Sequence, residues 1–168
     1  NIDHHPGNSM YGAVNWFDLS AAACGEMVFD LVAGLDVPLT IEIATHVYVA
    51  ILTDTGSFHY SNITPPTFEI CRLCMEGGVS PPAVARAVYD SNSLGKLRLF
   101  GAILNRMLLD PSGRIATLML DDDLLRECGG TYDDTEGIIN MPLTVKDILA
   151  VAFFNRQAPG EWRVSMRS

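Results

Sequence analysis

Positive charge, cysteine and long apolar runs are all scarce in this sequence. Lys and Arg number 11 against 20 Asp and Glu, giving a net charge of −9, so the basic stripe of a non-specific duplex binder is missing. The longest apolar run, residues 148–154, is far too short to span a bilayer, and no signal-peptide pattern opens the chain. These absences favour a cytoplasmic protein that binds neither duplex DNA nor a membrane.

The 4 cysteines do not suggest a disulfide scaffold. Cys71 and Cys74 lie within a helical pattern, and no second cysteine pair follows at a zinc-site spacing. We therefore expect both thiols to be buried in the core rather than redox-active or bound to zinc.

The first part of the chain is rich in helix signals. Ser20 is a candidate N-cap for a helix that Gly34 would close in the left-handed conformation. Residues 40–54 alternate like a strand, yet Ala44, Val47, Tyr48 and Ile51 also form a helical face, and the length of the segment favours a helix. Further helices are predicted from Pro65 to the glycines at 77–78, from Pro81 to about Tyr89, and over residues 92–108.

The pattern changes after residue 109. A turn at residues 110–113 precedes predicted strands over 114–120 and 148–154, and the chain closes on an alternating strand at 162–168. The sequence thus predicts an α/β protein with a helix-rich first part and an α+β second part.

Two adjacent histidines and a carboxylate stand at the start of the chain. Asp3, His4 and His5 follow an apolar residue and enter a Pro-Gly loop, where α/β sheets present ligands. An imidazole can bind a metal, and a carboxylate can fix the tautomer of an imidazole. Taken alone, the tripeptide is more typical of a polar loop or a tag-like remnant than of a metal or substrate site.

Asp54 is the second candidate. It closes an apolar helix, where its negative charge meets the unfavourable end of the helix dipole. A nearby cation would remove this conflict, and a metal ion is one such cation.

Together these segments resemble the DHH phosphoesterase superfamily, and within it the bifunctional oligoribonucleases (nanoRNases) that also dephosphorylate 3′-phosphoadenosine 5′-phosphate. The resemblance runs through five blocks in the order of the family: residues 1–8, 51–62, 97–101, 134–140 and 164–168. It therefore covers nearly the whole chain and implies a DHH-type parallel-sheet catalytic domain, a linker helix and a substrate-binding domain.

The resemblance also implies roles for individual residues. A pair of Mn²⁺ ions would be held in part by His4 and Asp54. His5 would contact the scissile phosphate or protonate the leaving oxygen, and Asp3 would orient the histidines. Metal ions would stabilise both the attacking and the leaving oxygen.

Substrate contacts are expected from Ser57, Tyr60 and Arg167. Tyr60 follows the Asp54 loop and is equally suited to stacking on a base and to packing over the adjacent helix. Arg167 lies in the last strand and could bind a phosphate or a terminal carboxylate. The expected substrates are short single-stranded RNA and 3′-phosphoadenosine 5′-phosphate, and the family often forms homodimers.

Several motifs of the family are not found in this sequence: a His followed by two closely spaced Asp, the single Asp of the second motif, and a Gly-Gly-Gly-His block. We therefore interpret the chain as an internal fragment that is inactive alone. Residues 1–91 would be the later part of the catalytic domain, 92–109 the linker helix and 110–168 the start of the substrate-binding domain. The alternatives are a cyclic-dinucleotide phosphodiesterase or pyrophosphatase of the same superfamily, or a non-catalytic nucleotide-binding module.

Overall fold

The computed structural model describes residues 1–168 and divides them into two compact units, Asn1–Asp90 and Ser91–Ser168. The first unit contains a two-stranded parallel sheet and four helices: β1 (Ile2–Asp3), β2 (Trp16–Phe17), α1 (Cys24–Gly34), α2 (Ile41–Asp54), α3 (Pro65–Glu76) and α4 (Pro81–Tyr89). No helix of the chain combines the length and the apolarity that crossing a bilayer demands.

Helix α2 forms as its apolar face and cap predict. The Thr40 side chain accepts a hydrogen bond from the Ile43 N–H, at 3.4 Å, and so caps the first turn. The predicted face is buried, because Ala44, Val47, Tyr48 and Ile51 are each no more than 5% exposed. The helical interpretation of this segment is therefore confirmed.

The predicted ends of helix α1 are wrong. The helix begins at Cys24 rather than near Ser20, and its N-cap Ala23 has no side chain that can accept a hydrogen bond. The Glu26 carboxylate instead fixes the turn before the helix, because it accepts the Ala22 N–H at 2.9 Å. At the other end, the left-handed residue is Asp36 rather than Gly34.

Helices α1 and α2 approach closely at Gly25. A Cβ added there would lie 2.9 Å from the Ala50 Cβ and 3.0 Å from the Val47 carbonyl oxygen. Only glycine therefore permits this approach. Helix α3 adds Cys71 and Cys74 to the same core, and burial raises the pKa of the Cys71 thiol to about 11. The expectation that both cysteines are buried is confirmed.

The second unit combines a four-stranded sheet with two helices: α5 (Leu94–Asn105), β3 (Leu108–Leu109), β4 (Ile115–Leu120), α6 (Asp122–Cys128), β5 (Ala150–Ala158) and β6 (Glu161–Arg167). Its strand order is β3-β4-β5-β6, with β4 and β5 parallel and the outer pairs antiparallel. Three short 3₁₀ turns connect α6 to β5. The predicted α/β class is confirmed.

Two element boundaries differ from the predictions because tertiary pairing overrides local pattern. Helix α5 ends at Asn105, and Leu108 and Leu109 instead pair with β4. Strand β5 continues to Ala158, because its polar end pairs with β6. Helix α5 packs into the core of the second unit through Leu99 and Ile103, which are both fully buried.

Two glycines of α5 give a matched test of this packing. An added Cβ at Gly95 would overlap the carbonyl oxygen of Gly129, whereas at Gly101 it would meet no atom within 4 Å. We expect Gly95→Ala to lower the free energy of unfolding by about 1–3 kcal/mol through overpacking. Gly101→Ala should raise it by about 0.5–1 kcal/mol, because alanine is the better helix former.

Urea denaturation followed by Trp162 fluorescence in a Trp16→Phe background measures both changes in the second unit. Equal effects of the two substitutions would contradict the close approach at Gly95.

Candidate active site

The short parallel sheet places the Asp-His-His segment. Ile2 pairs with Trp16 and Asp3 with Phe17, so His4 and His5 follow the carboxyl end of β1. The turn that links β2 to α1 lies beside them, and the carbonyl oxygen of Ala21 is 3.0 Å from His4 Nδ1. Because a carbonyl can only accept, Nδ1 carries the proton, and in the neutral ring Nε2 keeps its lone pair.

The structure brings His4 and Asp54 together. His4 Nε2 lies 3.5 Å from Asp54 Oδ2, and the two side chains are 12% and 40% exposed. His4 Nε2 is buried and has no hydrogen-bond partner. A lone pair that faces a carboxylate oxygen at this distance is repelled unless a proton or a cation lies between them. The pair therefore fits either a proton on Nε2, which would make it an ion pair, or a bound cation.

Asp3 orients one histidine rather than both. Its Oδ1 lies 2.7 Å from His5 Nδ1, while its Oδ2 accepts a hydrogen bond from the Asn8 amide. The His4 ring is held instead by the Ala21 carbonyl. The side chain of His5 is 72% exposed, and the two imidazole rings are 4.4 Å apart between centroids. The expected orienting role of Asp3 thus has a geometric basis for His5.

Hydrogen bonds hold the pKa of Asp3 well below its ordinary value of 3.8, and the largest effect comes from the His5 side chain. A carboxyl whose folded pKa is lowered stabilises the fold at pH values above its unfolded pKa, and this contribution is lost as the pH falls through the folded pKa. We expect His5→Ala to raise the Asp3 pKa towards 3.8, measured by ¹³C NMR of the carboxyl carbon.

His59→Ala is the control, because His59 makes no contact with Asp3 and packs beside Tyr60. An Asp3 titration midpoint that stays the same in His5→Ala would contradict the contact.

The turn after Asp54 is built around a buried hydroxyl. Thr55 is fully buried; its side chain donates to the Ile51 carbonyl at 2.7 Å and accepts the Phe58 N–H at 3.1 Å. These bonds support left-handed backbone at Ser57 and Phe58, with φ values of 59° and 63°. Ser57 is exposed on this turn.

Tyr60 lies over the same turn. A Cβ added to Gly56 would come within 2.5 Å of the Tyr60 ring, so one part of the ring packs on the glycine. The residue nevertheless remains 51% exposed. Tyr60 therefore packs on the glycine of this turn and still presents ring surface to solvent.

Two residues that support the site were not assigned these roles from the sequence. The Asn62 amide donates to the Ala22 carbonyl at 2.9 Å and to the Asp54 carbonyl at 3.3 Å, so it ties the two halves of the site together. Glu26 is 7% exposed and fixes the same turn through the Ala22 N–H. Their partners are backbone groups, which leave no signal in a sequence pattern.

The chain contains no group of three or more His, Cys, Asp or Glu residues that could hold a metal ion. His4 and Asp54 are thus two donors without a third. Arg167 belongs to the second unit, where it borders a cavity of about 410 Å³ beside strands β5 and β6.

The fold is that expected for a DHH phosphoesterase, and comparisons with known proteins support this. No protein-family model matches the chain. A crystal structure of an exopolyphosphatase-related protein from Bacteroides fragilis superposes with a TM-score of 0.90 at 25% identity, over 99% of this chain and 49% of that one.

Similar proteins of curated name indicate which branch of the DHH phosphoesterases the chain resembles. The chain is 32% identical, over its full length, to the bifunctional oligoribonuclease and PAP phosphatase NrnA of Thermus thermophilus and covers 50% of it. It is 28% identical, over 99% of its length, to the protein of the same name from Bacillus subtilis and covers 53% of it. The chain thus spans about half the length of the curated relatives it matches. The resemblance to the oligoribonuclease branch of the DHH phosphoesterases is confirmed.

Proposed function

We propose that this chain forms part of a Mn²⁺-dependent phosphoesterase that hydrolyses short oligoribonucleotides and 3′-phosphoadenosine 5′-phosphate. The names of the relatives support both substrates. The observation that carries the proposal is the pair formed by His4 and Asp54, in which a buried nitrogen without a partner lies 3.5 Å from a carboxylate oxygen.

His4 Nε2 and Asp54 Oδ2 are the proposed metal ligands. A mixed set of imidazole and hard carboxylate donors suits Mn²⁺. When bound, such ions activate water and neutralise the charge of the phosphate beside these acidic groups. The Ala21 carbonyl keeps the His4 proton on Nδ1, so Nε2 stays available as a ligand.

His5 and Asp3 are the proposed catalytic pair. Since Asp3 binds His5 at Nδ1, the Nε2 atom of this exposed ring is the one left to contact the substrate. From there it would donate a hydrogen bond to the scissile phosphate or a proton to the leaving oxygen. Ser57 and Tyr60 are proposed to contact the substrate beside this pair, and Arg167 to bind a phosphate in the second unit.

We further propose that the metal centre needs donors from outside these 168 residues, because the chain supplies two candidate ligands and no group of three. In-line hydrolysis with two metals requires ions that stabilise both the attacking and the leaving oxygen, and two side chains do not hold two ions. The chain alone would then be inactive.

A chimaera tests the proposed activity directly. In it, these residues replace the matching half of the Thermus thermophilus relative, which aligns over the whole of this chain. We expect the chimaera to hydrolyse a ribodinucleotide and 3′-phosphoadenosine 5′-phosphate with Mn²⁺, and to leave cyclic dinucleotides and pyrophosphate intact. A folded chimaera that prefers either of the latter substrates, or hydrolyses none of the four, would overturn the proposal.

A further inference from the structure

A second cavity lies within the first unit, lined by helices α1 and α3 and by the turn that follows β2. It measures about 760 Å³, within the range of about 300–1,000 Å³ that is usual for small-molecule sites. Its lining includes four acidic residues and no Lys, Arg or His: Asp18, Glu26, Asp30 and Glu69. None of the residues proposed above to bind metal or substrate lines it.

Glu26 is the buried member of this acidic group. Its Oε2 accepts the Ala22 N–H at 2.9 Å, whereas its Oε1 is buried and has no hydrogen-bond partner. Glu26 also takes part in no ion pair. A buried carboxylate costs free energy unless a cation and hydrogen-bond donors compensate it. A water molecule at Oε1 would supply the hydrogen bond but leave the charge unpaired, so a cation with N–H groups is the better partner.

The other three carboxylates differ in how far the protein itself satisfies them. Asp18 accepts the N–H and the hydroxyl of Ser20, at 2.8 Å and 2.6 Å. Glu69 pairs with Arg72 at 2.7 Å. Asp30 is exposed and makes no ion pair. The cavity therefore keeps a negative charge that no cation of the chain neutralises.

An organic cation fits this lining better than a metal ion. No group of three or more His, Cys, Asp or Glu residues in the chain is placed to hold a metal, so the four carboxylates do not converge. Apolar side chains lie among them: Trp16, Met27, Phe29, Pro65, Ile70 and Leu73. Trp16 is 36% exposed, and the face of an indole ring attracts ammonium and guanidinium groups. An apolar stem that ends in such a group would match both kinds of lining.

We propose that this cavity binds an organic cation whose ammonium or guanidinium group donates to Glu26 Oε1 and whose apolar stem packs between α1 and α3. The site requires neither the metal nor the phosphate of the proposed function. Two sources can supply this chemistry. One is a free alkyl amine or guanidine, and the other is a Lys or Arg side chain from the half of the relatives that this chain does not cover.

Titration of the full chain with n-butylguanidinium tests the site, and N-butylurea is the neutral probe of the same shape. Chelator is present throughout, so metal ions do not contribute. We expect saturable changes in the ¹H–¹⁵N NMR signals of the Trp16 indole and the Ile70 amide, which both line the cavity. N-butylurea should bind at least about tenfold more weakly, because it brings no charge to Glu26. Equal binding of the two probes, or no binding of n-butylguanidinium, would overturn the proposal.

Glu26→Gln tests the buried charge in the same titrations. Glutamine keeps an oxygen for the Ala22 N–H, so the turn is retained while the charge is lost. We expect the affinity for n-butylguanidinium to fall by about tenfold or more. Glu127→Gln is the matched control, because it removes the same charge from an exposed position of α6 outside the cavity and should leave the affinity unchanged. Equal losses in the two variants would overturn the site.

Asp30→Asn keeps the test independent of a buried substitution. Asp30 is exposed at the cavity, so this variant should unfold at the same temperature as the parent. It should weaken n-butylguanidinium by about two- to threefold, because an exposed charge contributes less than a buried one. Affinities equal to that of the parent in both Glu26→Gln and Asp30→Asn would contradict the proposal.

The chimaera distinguishes the two sources of the cation. If a free molecule is the ligand, n-butylguanidinium should bind the isolated chain and the chimaera alike. If a side chain fills the cavity, the chimaera should not bind the probe, and Glu26→Gln should lower its unfolding temperature by breaking a buried ion pair. Blocked binding without that loss would place an uncharged group in the cavity and contradict the proposal. Hydrolysis by the chimaera is measured separately, so the cation site and the proposed function can fail independently.

Discussion

Asp54→Asn in the chimaera is expected to lower Mn²⁺-dependent hydrolysis of a ribodinucleotide by about 1,000-fold or more. The substitution replaces a charged oxygen donor with a neutral amide at the point where the carboxylate faces His4 Nε2. Loss of a metal ligand removes several kcal/mol of transition-state stabilisation, and about 4 kcal/mol corresponds to this factor. Initial rates at saturating Mn²⁺ measure the effect.

The same substitution should not lower the stability of the fold. Asp54 is the last residue of helix α2, where a carboxylate opposes the helix dipole. Asp54→Asn should therefore unfold at the same temperature as the parent or higher, which separates lost chemistry from lost folding. Asp36→Asn is the control, because Asp36 is exposed in the left-handed conformation that asparagine tolerates, and it should retain full activity. Equal activities of the two variants would contradict the assignment of Asp54.

The second prediction concerns the hydrolytic activity of the isolated chain. The isolated chain is expected to release no product from a ribodinucleotide or from 3′-phosphoadenosine 5′-phosphate, with or without Mn²⁺. Its two candidate donors do not form a group of three, and a weakly held ion cannot remain in place through hydrolysis. Chromatography of the reaction products, with the Thermus thermophilus relative as the positive control, measures the difference. Turnover by a pure preparation that chelator abolishes would contradict this prediction.

Local signals predicted the helices well where the chain carries its own caps and faces. The Thr40 cap and the face through Ala44, Val47 and Ile51 defined α2, although strand-like alternation competed with them. Helix α1 was placed less well, because no side chain caps its first turn, and the segment before it is held by Glu26 reaching back to the Ala22 N–H. The two-residue strand at Trp16 was too short to give any periodic signal.

The candidate site was predictable only in part. Asp54 drew attention by its conflict with the helix dipole, but only the family resemblance linked it to His4, 50 residues away. The Asn62 amide bridges carbonyl groups of Ala22 and Asp54, and the Ala21 carbonyl sets the His4 tautomer. Backbone acceptors of this kind are the same for every residue type, so no sequence pattern identifies them. The cavity beside Arg167 likewise depends on strand register, which is set by tertiary pairing.

Mn²⁺ titration of the isolated chain, followed by ¹H–¹⁵N NMR, tests most directly whether His4 and Asp54 share a cation. Paramagnetic broadening detects even a weakly occupied site. We expect the amide signals of His4, Asp54 and Thr55 to broaden first, and this selective broadening to disappear in His4→Ala. It should persist in His46→Ala, which removes an exposed histidine of α2 that bonds only to the Glu42 carbonyl. Broadening confined to the acidic run at residues 121–123, or unchanged by His4→Ala, would contradict the shared cation site.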